Sequence, residues 1–235
     1  MKIGLFGDSY ACLTLDKGEA WFESKEILDS YKIESYAKKG SDITWSYNLF
    51  LKNHSKYKKN IFIVTESTRH SFVVGPHTLH VSNIDTIDYI SNQIKDLKIK
   101  NILQSLKMHY MYSLPLEVYD FGLAGMIEKI KEMRPDTIIV YGFYNHSIEK
   151  ITQSSFYLSQ VSMMELTQFG INFEQMKKLG IGEGRSAHMT KENNTVFAKY
   201  IKDKLDGKDI SISLDNFVIP HKDEIKKYFS ESLPN

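Results

Sequence analysis

Short runs of β-branched and aromatic residues recur along this chain, and the segments between them carry helical spacing. That alternation constrains the fold more than any other feature. Lys2–Phe6, Tyr31–Ala37, Ile61–Val64 and Thr137–Tyr141 read as strands. Ile61–Val64 is apolar at every position, the mark of a strand covered on both faces in a parallel sheet. Phe156–Met164 is a further, more mixed candidate, and Ile210–Ile212 and Phe217–Ile219 are strand-like pieces.

Glu19–Leu28 is weakly helical and Trp45–Leu51 more clearly so. Ile84, Ile87, Ile90, Ile94 and Leu97 follow helical spacing, as do Phe121, Ile127, Ile130 and Met133 within Leu116–Met133. Arg134-Pro135-Asp136 closes that helix, because the residue before a proline is pushed out of the helical region. Thr190 is placed to cap a helix carrying Val196, Phe197, Tyr200, Ile201 and Leu205, with Glu192 in its first turn. Asp223–Phe229 reads as a closing helix, and Thr65–Asn83, with Gly75-Pro76, as an irregular excursion. Strands alternating with helices predict an α/β fold: a three-layer α/β/α sandwich with a mostly parallel sheet of about five strands.

At 235 residues and 42% hydrophobic content, one domain spanning residues 1–235 is expected, with a sizeable core. Thirty Lys and Arg against 29 Asp and Glu leave a formal net charge of +1, which gives no general pull toward nucleic acid or an anionic membrane. The single cysteine, Cys12, rules out an internal disulfide and suits a reducing compartment. No apolar run is long enough to span a bilayer, and Asp8 interrupts the short apolar stretch after Lys2. A cytoplasmic protein is the expectation.

In a sheet of this kind, ligands bind beyond the carboxyl ends of the strands. Gly7-Asp8-Ser9, Gly40, Thr65–Arg69 and Tyr141–Asn145 occupy such ends, and His188 follows a loop rich in glycine. A serine at a tight turn becomes a nucleophile when a histidine takes its proton. Backbone N–H groups at Ser9 and Gly40 are candidate donors to the oxyanion that forms. Each residue also has a plain structural reading: Ser9 and Gly40 as turn residues, His188 beside a helix start, Glu183 as solvated loop and Cys12 as a small buried residue. His70, His77 and His80 share one segment but match no standard metal spacing, so no metal is expected. Met108–Tyr112 suits helix packing better than a binding groove. Gly4-x-x-Gly7 lacks the spacing of a dinucleotide fingerprint.

Gly7-Asp8-Ser9-Tyr10 after a first strand, Gly40 after the second and His188-Met189-Thr190 opening a late helix resemble, in order and context, the blocks of the SGNH (GDSL-type) hydrolases. The resemblance runs from Lys2 to about Leu205 and implies a flavodoxin-like topology. It also implies a serine esterase or deacylase with no cofactor, acting on a small-molecule or glycan ester. It makes Ser9 the nucleophile, His188 the base and Gly40 an oxyanion donor.

Two positions depart from the pattern. The third block, ordinarily Gly-x-Asn-Asp, reads Thr65-Glu66-Ser67-Thr68, so Ser67 stands in for the donor asparagine. Arg185 occupies the usual place of the acid, and an arginine cannot accept a hydrogen bond. Glu183 or a backbone carbonyl is then left to orient His188. These departures keep a second expectation open, a catalytically degenerate binding or structural protein of the same fold. The Lys-, Asn- and Ile-rich composition is also similar to that of small SGNH-like proteins of tailed phages, which would place the chain in a host cytoplasm or a virion.

Overall fold

Alternation within each strand sets the layers. The computed structural model describes residues 1–12, 20–65, 70–74, 77–81, 84–112, 116–142, 189, 191–210 and 212–217. Strands β1 (Lys2–Gly7), β2 (Lys32–Ala37), β3 (Lys59–Val64) and β6 (Ile138–Tyr141) form one parallel sheet in the order β2-β1-β3-β6. Ile3, Leu5, Ile61, Ile63, Ile138 and Val140 turn to one face, and Phe6, Phe62, Val64, Ile139 and Tyr141 to the other. Successive strand residues point to opposite faces, so strands apolar throughout must be covered on both.

The first face is covered by α1 (Lys25–Leu28), the turn Trp21–Glu23 and α6 (Lys191–Leu205), through Trp21, Ile27, Phe197 and Ile201. The second is covered by α2 (Ile43–Asn53) and α5 (Leu116–Met133), through Ile43, Phe50, Leu123, Ile127 and Ile130. The result is the expected α/β/α layering, with four parallel strands among the described residues where about five are expected. Phe156–Met164, Ile219 and the helix at Asp223–Phe229 lie outside the described residues.

Asp42 explains where α2 starts. Its carboxylate accepts the Trp45 N–H at 2.7 Å, so the helix begins at Ile43, earlier than the apolar spacing alone predicts. Phe50 then packs edge-on against Phe6 and Phe62, with ring centroids 5.3 and 5.8 Å away. At the far end of the sheet, the Arg134 guanidinium ties the connections together by donating to the carbonyls of His54, Tyr57 and Lys58.

Four expectations need correction. Within Thr65–Asn83 the chain forms an antiparallel pair, β4 (His70–Val74) and β5 (His77–Val81), not an irregular excursion. His70 pairs with Val81 and His80 with Ser71, so these histidines belong to strands. The single helix expected over Ile84–Leu97 is two, α3 (Ile84–Gln93) and α4 (Leu97–Tyr112), joined around Ile87 and Leu103 in a cluster of their own. Phe121 is 65% exposed, although it was expected on the apolar face of α5. Six residues separate it from Ile127, which at 3.6 residues per turn puts it about 120° away around the helix. Leu123, Ala124, Ile127 and Ile130 form the buried stripe instead. Ile210 and Ile212, expected in a strand-like piece, are not in a strand; Ile212 is a buried anchor before the 3₁₀ turn Leu214–Asn216 and buried Phe217.

Candidate functional site

β1 lies inside the sheet between β2 and β3, and its carboxyl end therefore opens among three other strand ends. Gly7 is required there: a β-carbon on it would lie 2.8 Å from Ile63 Cβ and 3.2 Å from Ala11 Cβ. The chain then folds directly into a 3₁₀ turn, Ser9–Ala11, which Asp8 caps by accepting the Tyr10 N–H at 3.1 Å. Ser9 is half-buried at the start of this turn, while Asp8, Tyr10 and Ala11 around it are buried.

The turn is fastened from several sides. The Trp21 indole N–H donates to the Tyr10 carbonyl at 3.0 Å. The Ser35 hydroxyl donates to the Ala11 carbonyl at 2.5 Å. The Cys12 N–H closes onto the Ser9 carbonyl at 3.3 Å. Beneath the turn, the Thr65 hydroxyl donates to Asp8 Oδ2 at 3.0 Å, joining the ends of β1 and β3. None of these partners announces itself in the sequence, because each is an ordinary residue type brought close only by strand pairing.

Gly40 stands beyond β2 in the left-handed region, with φ of 72°, which favours glycine. The Ser41 N–H bonds back to the Lys38 carbonyl at 3.1 Å, and the Ser41 hydroxyl donates to the Gly7 carbonyl at 3.4 Å, so this turn is tied to β1. Among the described residues, no acceptor takes the backbone N–H of Ser9 or of Gly40. Gly142, beyond β6, donates its N–H to the Val64 carbonyl at 2.8 Å and lies against the Tyr10 ring; a β-carbon there would be 3.3 Å from Tyr10 Cδ2.

Ser67, Glu183, Arg185 and His188 lie outside the described residues. Met189, the residue after His188, is buried in the same core cluster as Tyr10 and Ala11, the residues after Ser9. Asn194 fastens it there, donating its side-chain amide to the Met189 carbonyl at 3.2 Å.

Cys12, next to the turn, is half-buried. Burial, and after it the Asp8 charge, push its thiol up to about 11 against a smaller opposing pull from Lys39. It is therefore held as a thiol at neutral pH, which is the wrong state for a nucleophile.

No family model and no curated protein matches the sequence. Among solved structures, the chain is similar to a psychrotrophic esterase, EstA from Pseudoalteromonas sp., inhibited by monoethylphosphonate. The identity is 10%, with 88% of this chain and 97% of that one covered and a TM-score of 0.42. It is also similar to the acetyl xylan esterase AlAXEase, at 10% identity over 99% of this chain and 100% of that one, with a TM-score of 0.34. Likenesses this loose do not identify a reaction. Among the described residues, no helix is long and apolar enough to cross a membrane.

Proposed function

We propose that this chain is a serine ester hydrolase. Ser9 attacks the acyl carbon of an ester while His188 takes its proton. His188 then gives that proton to the departing alcohol. Water, deprotonated by the same histidine, releases the acid from the acyl-enzyme. The N–H groups of Ser9 and Gly40 receive the oxyanion, with the Ser67 hydroxyl in the place of a third donor. Arg185 cannot orient the histidine, so a backbone carbonyl or Glu183 serves.

The observation that carries this reading is the position of Ser9. It begins a braced turn at the carboxyl end of an interior parallel strand, and beyond neighbouring β2 stands a left-handed glycine, in a turn tied to β1, whose N–H has no acceptor among the described residues. A serine serving only as a turn former needs no such neighbour. The burial of Met189 with Tyr10 and Ala11 supports the pairing with His188, since it gives the residue beside the histidine an anchor in the same layer.

The substrate is an acyl or O-acetyl ester of a small molecule or glycan, and this chemistry needs no cofactor. We further propose that residues 1–235 form one SGNH-like domain working in a cytoplasm, that of a host if the gene belongs to a phage.

Labelling with a fluorophosphonate probe tests the reading, because the probe reacts with activated serines and spares ordinary hydroxyls. Labelling is expected at Ser9 and is expected to vanish in Ser9→Ala. A folded protein that neither labels nor hydrolyses an activated ester is instead the degenerate binding protein that the departures at Ser67 and Arg185 leave open.

A further inference from the structure

Asp8 is fully buried, and each of its carboxylate oxygens has a specific partner. Oδ1 accepts the Tyr10 N–H at 3.1 Å, and Oδ2 accepts the Thr65 hydroxyl at 3.0 Å. Thr65 is itself only 2% exposed and is the first residue past β3, as Asp8 is the first past β1. The two strands are neighbours, with Phe6 level with Phe62. One carboxylate thus spans two adjacent strand ends.

Ser9 lies between the two points that this carboxylate controls. On its amino side is Asp8 itself. On its carboxyl side is the peptide whose N–H belongs to Tyr10, so the plane of that peptide sets the Ser9 backbone. The Thr65 bond gives Oδ2 a fixed point on the end of β3, so the plane of the carboxylate, and with it the cap on Tyr10, is tied to that strand end.

We propose that Thr65 is a positioning residue for Ser9: by donating to Asp8 Oδ2 it locks the carboxylate that caps the Ser9 turn, and so aims the serine hydroxyl at the substrate. The role rests on the hydrolase reading of Ser9. Thr65 touches neither substrate nor the reacting atoms and acts through Asp8 alone. Its loss therefore slows the attack without weakening substrate binding. A misplacement of the reacting group by about 1 Å can cost on the order of 10²-fold in rate.

The test uses the full chain with Thr65→Val, which keeps the shape and removes the donor, and Thr65→Ser, which restores the donor. Fluorophosphonate labelling rate, kcat and KM for p-nitrophenyl acetate, and the urea midpoint are measured for each. Thr65→Val is expected to fold cooperatively and to lose about 10- to 100-fold in both labelling rate and kcat at unchanged KM. Thr65→Ser is expected to return both rates close to the parent. If Thr65→Val does not fold, Thr65→Ala, which removes the hydroxyl without placing a methyl against the carboxylate, takes its place. A folded Thr65→Val or Thr65→Ala protein that labels as fast as the parent overturns the role of Thr65 alone, as does a Thr65→Ser protein no faster than Thr65→Val. A parent that does not label at Ser9 overturns the hydrolase reading and this role with it.

Discussion

A β-carbon on Gly7 would stand 2.8 Å from the β-carbon of Ile63, closer than two packed carbons can approach. This contact lets β1 and β3 run side by side up to the point where the Ser9 turn departs. Both atoms belong to the buried backbone region of the sheet, so neither can swing away. Gly7→Ala is expected to destabilise the protein by about 1–3 kcal/mol, the usual cost of overpacking a core. A urea unfolding curve with an unchanged midpoint would show that the strand ends can separate freely. Fluorophosphonate labelling of the same variant reports whether the turn has moved.

Ser9→Ala is expected to reduce p-nitrophenyl acetate hydrolysis to background, and His188→Ala to reduce it by a similar factor, because nucleophile and base act as one unit. The activated ester has a good leaving group and needs little help from a general acid. It therefore tolerates an oxyanion pocket in which one donor is weakened, although a lost donor costs about 10²–10³ in rate toward demanding substrates. Turnover surviving in Ser9→Ala would assign the activity to surface histidines or lysines.

Glu183→Gln is expected to keep most of the activity, with a backbone carbonyl orienting His188. A fall of about 10⁴-fold, the size seen when a triad acid is neutralised, would identify Glu183 as the acid.

Cys12 should resist iodoacetamide at neutral pH and react faster as the pH rises toward 11, where its thiol ionises. Burial is the first cause and the Asp8 charge the second. An unfolded cysteine ionises near 8.5, so the folded state prefers the protonated form between the two values. The stabilising contribution is complete below about 8.5 and is lost as pH rises through 11. Rapid alkylation at neutral pH would mean that the site is open to water.

His54 works in the opposite direction. Its Nδ1 is buried with no hydrogen-bond partner among the described residues, and its ring stacks on Phe50 with centroids 4.9 Å apart. Burial first, and the Arg134 charge second, hold its pKa below the usual histidine value. The folded state thus takes up its proton less readily than the unfolded chain, which does so near about 6.5. This contribution is present above that pH and is lost as pH falls. The urea midpoint is expected to drop on acidification below about 6.5, and less steeply in His54→Gln. Equal slopes would show that protonation of this ring is not felt by the fold.

The strands and most helices were legible in the sequence because hydrophobic spacing is a local property. Ile61–Val64 must be covered on both sides wherever it lies, and Leu116–Met133 carries an apolar stripe whatever it packs against. The order of glycine, aspartate and serine after the first strand marked the Ser9 turn for the same reason: strand, turn and serine are consecutive. Phe121 falls off that stripe on sequence grounds as well, since six residues from Ile127 put it about 120° around the helix. Tertiary structure alone decided the rest of the site. Thr65 lies 57 residues from Asp8, and Ser41 lies 34 from Gly7. Threonine and serine carry no signal of such partners. They meet because the order β2-β1-β3-β6 brings the carboxyl ends of β2 and β3 to either side of β1. A strand's propensity resides in its own residues, but its neighbours are chosen by packing across the whole sheet, and only that choice turns separate loop residues into one braced turn.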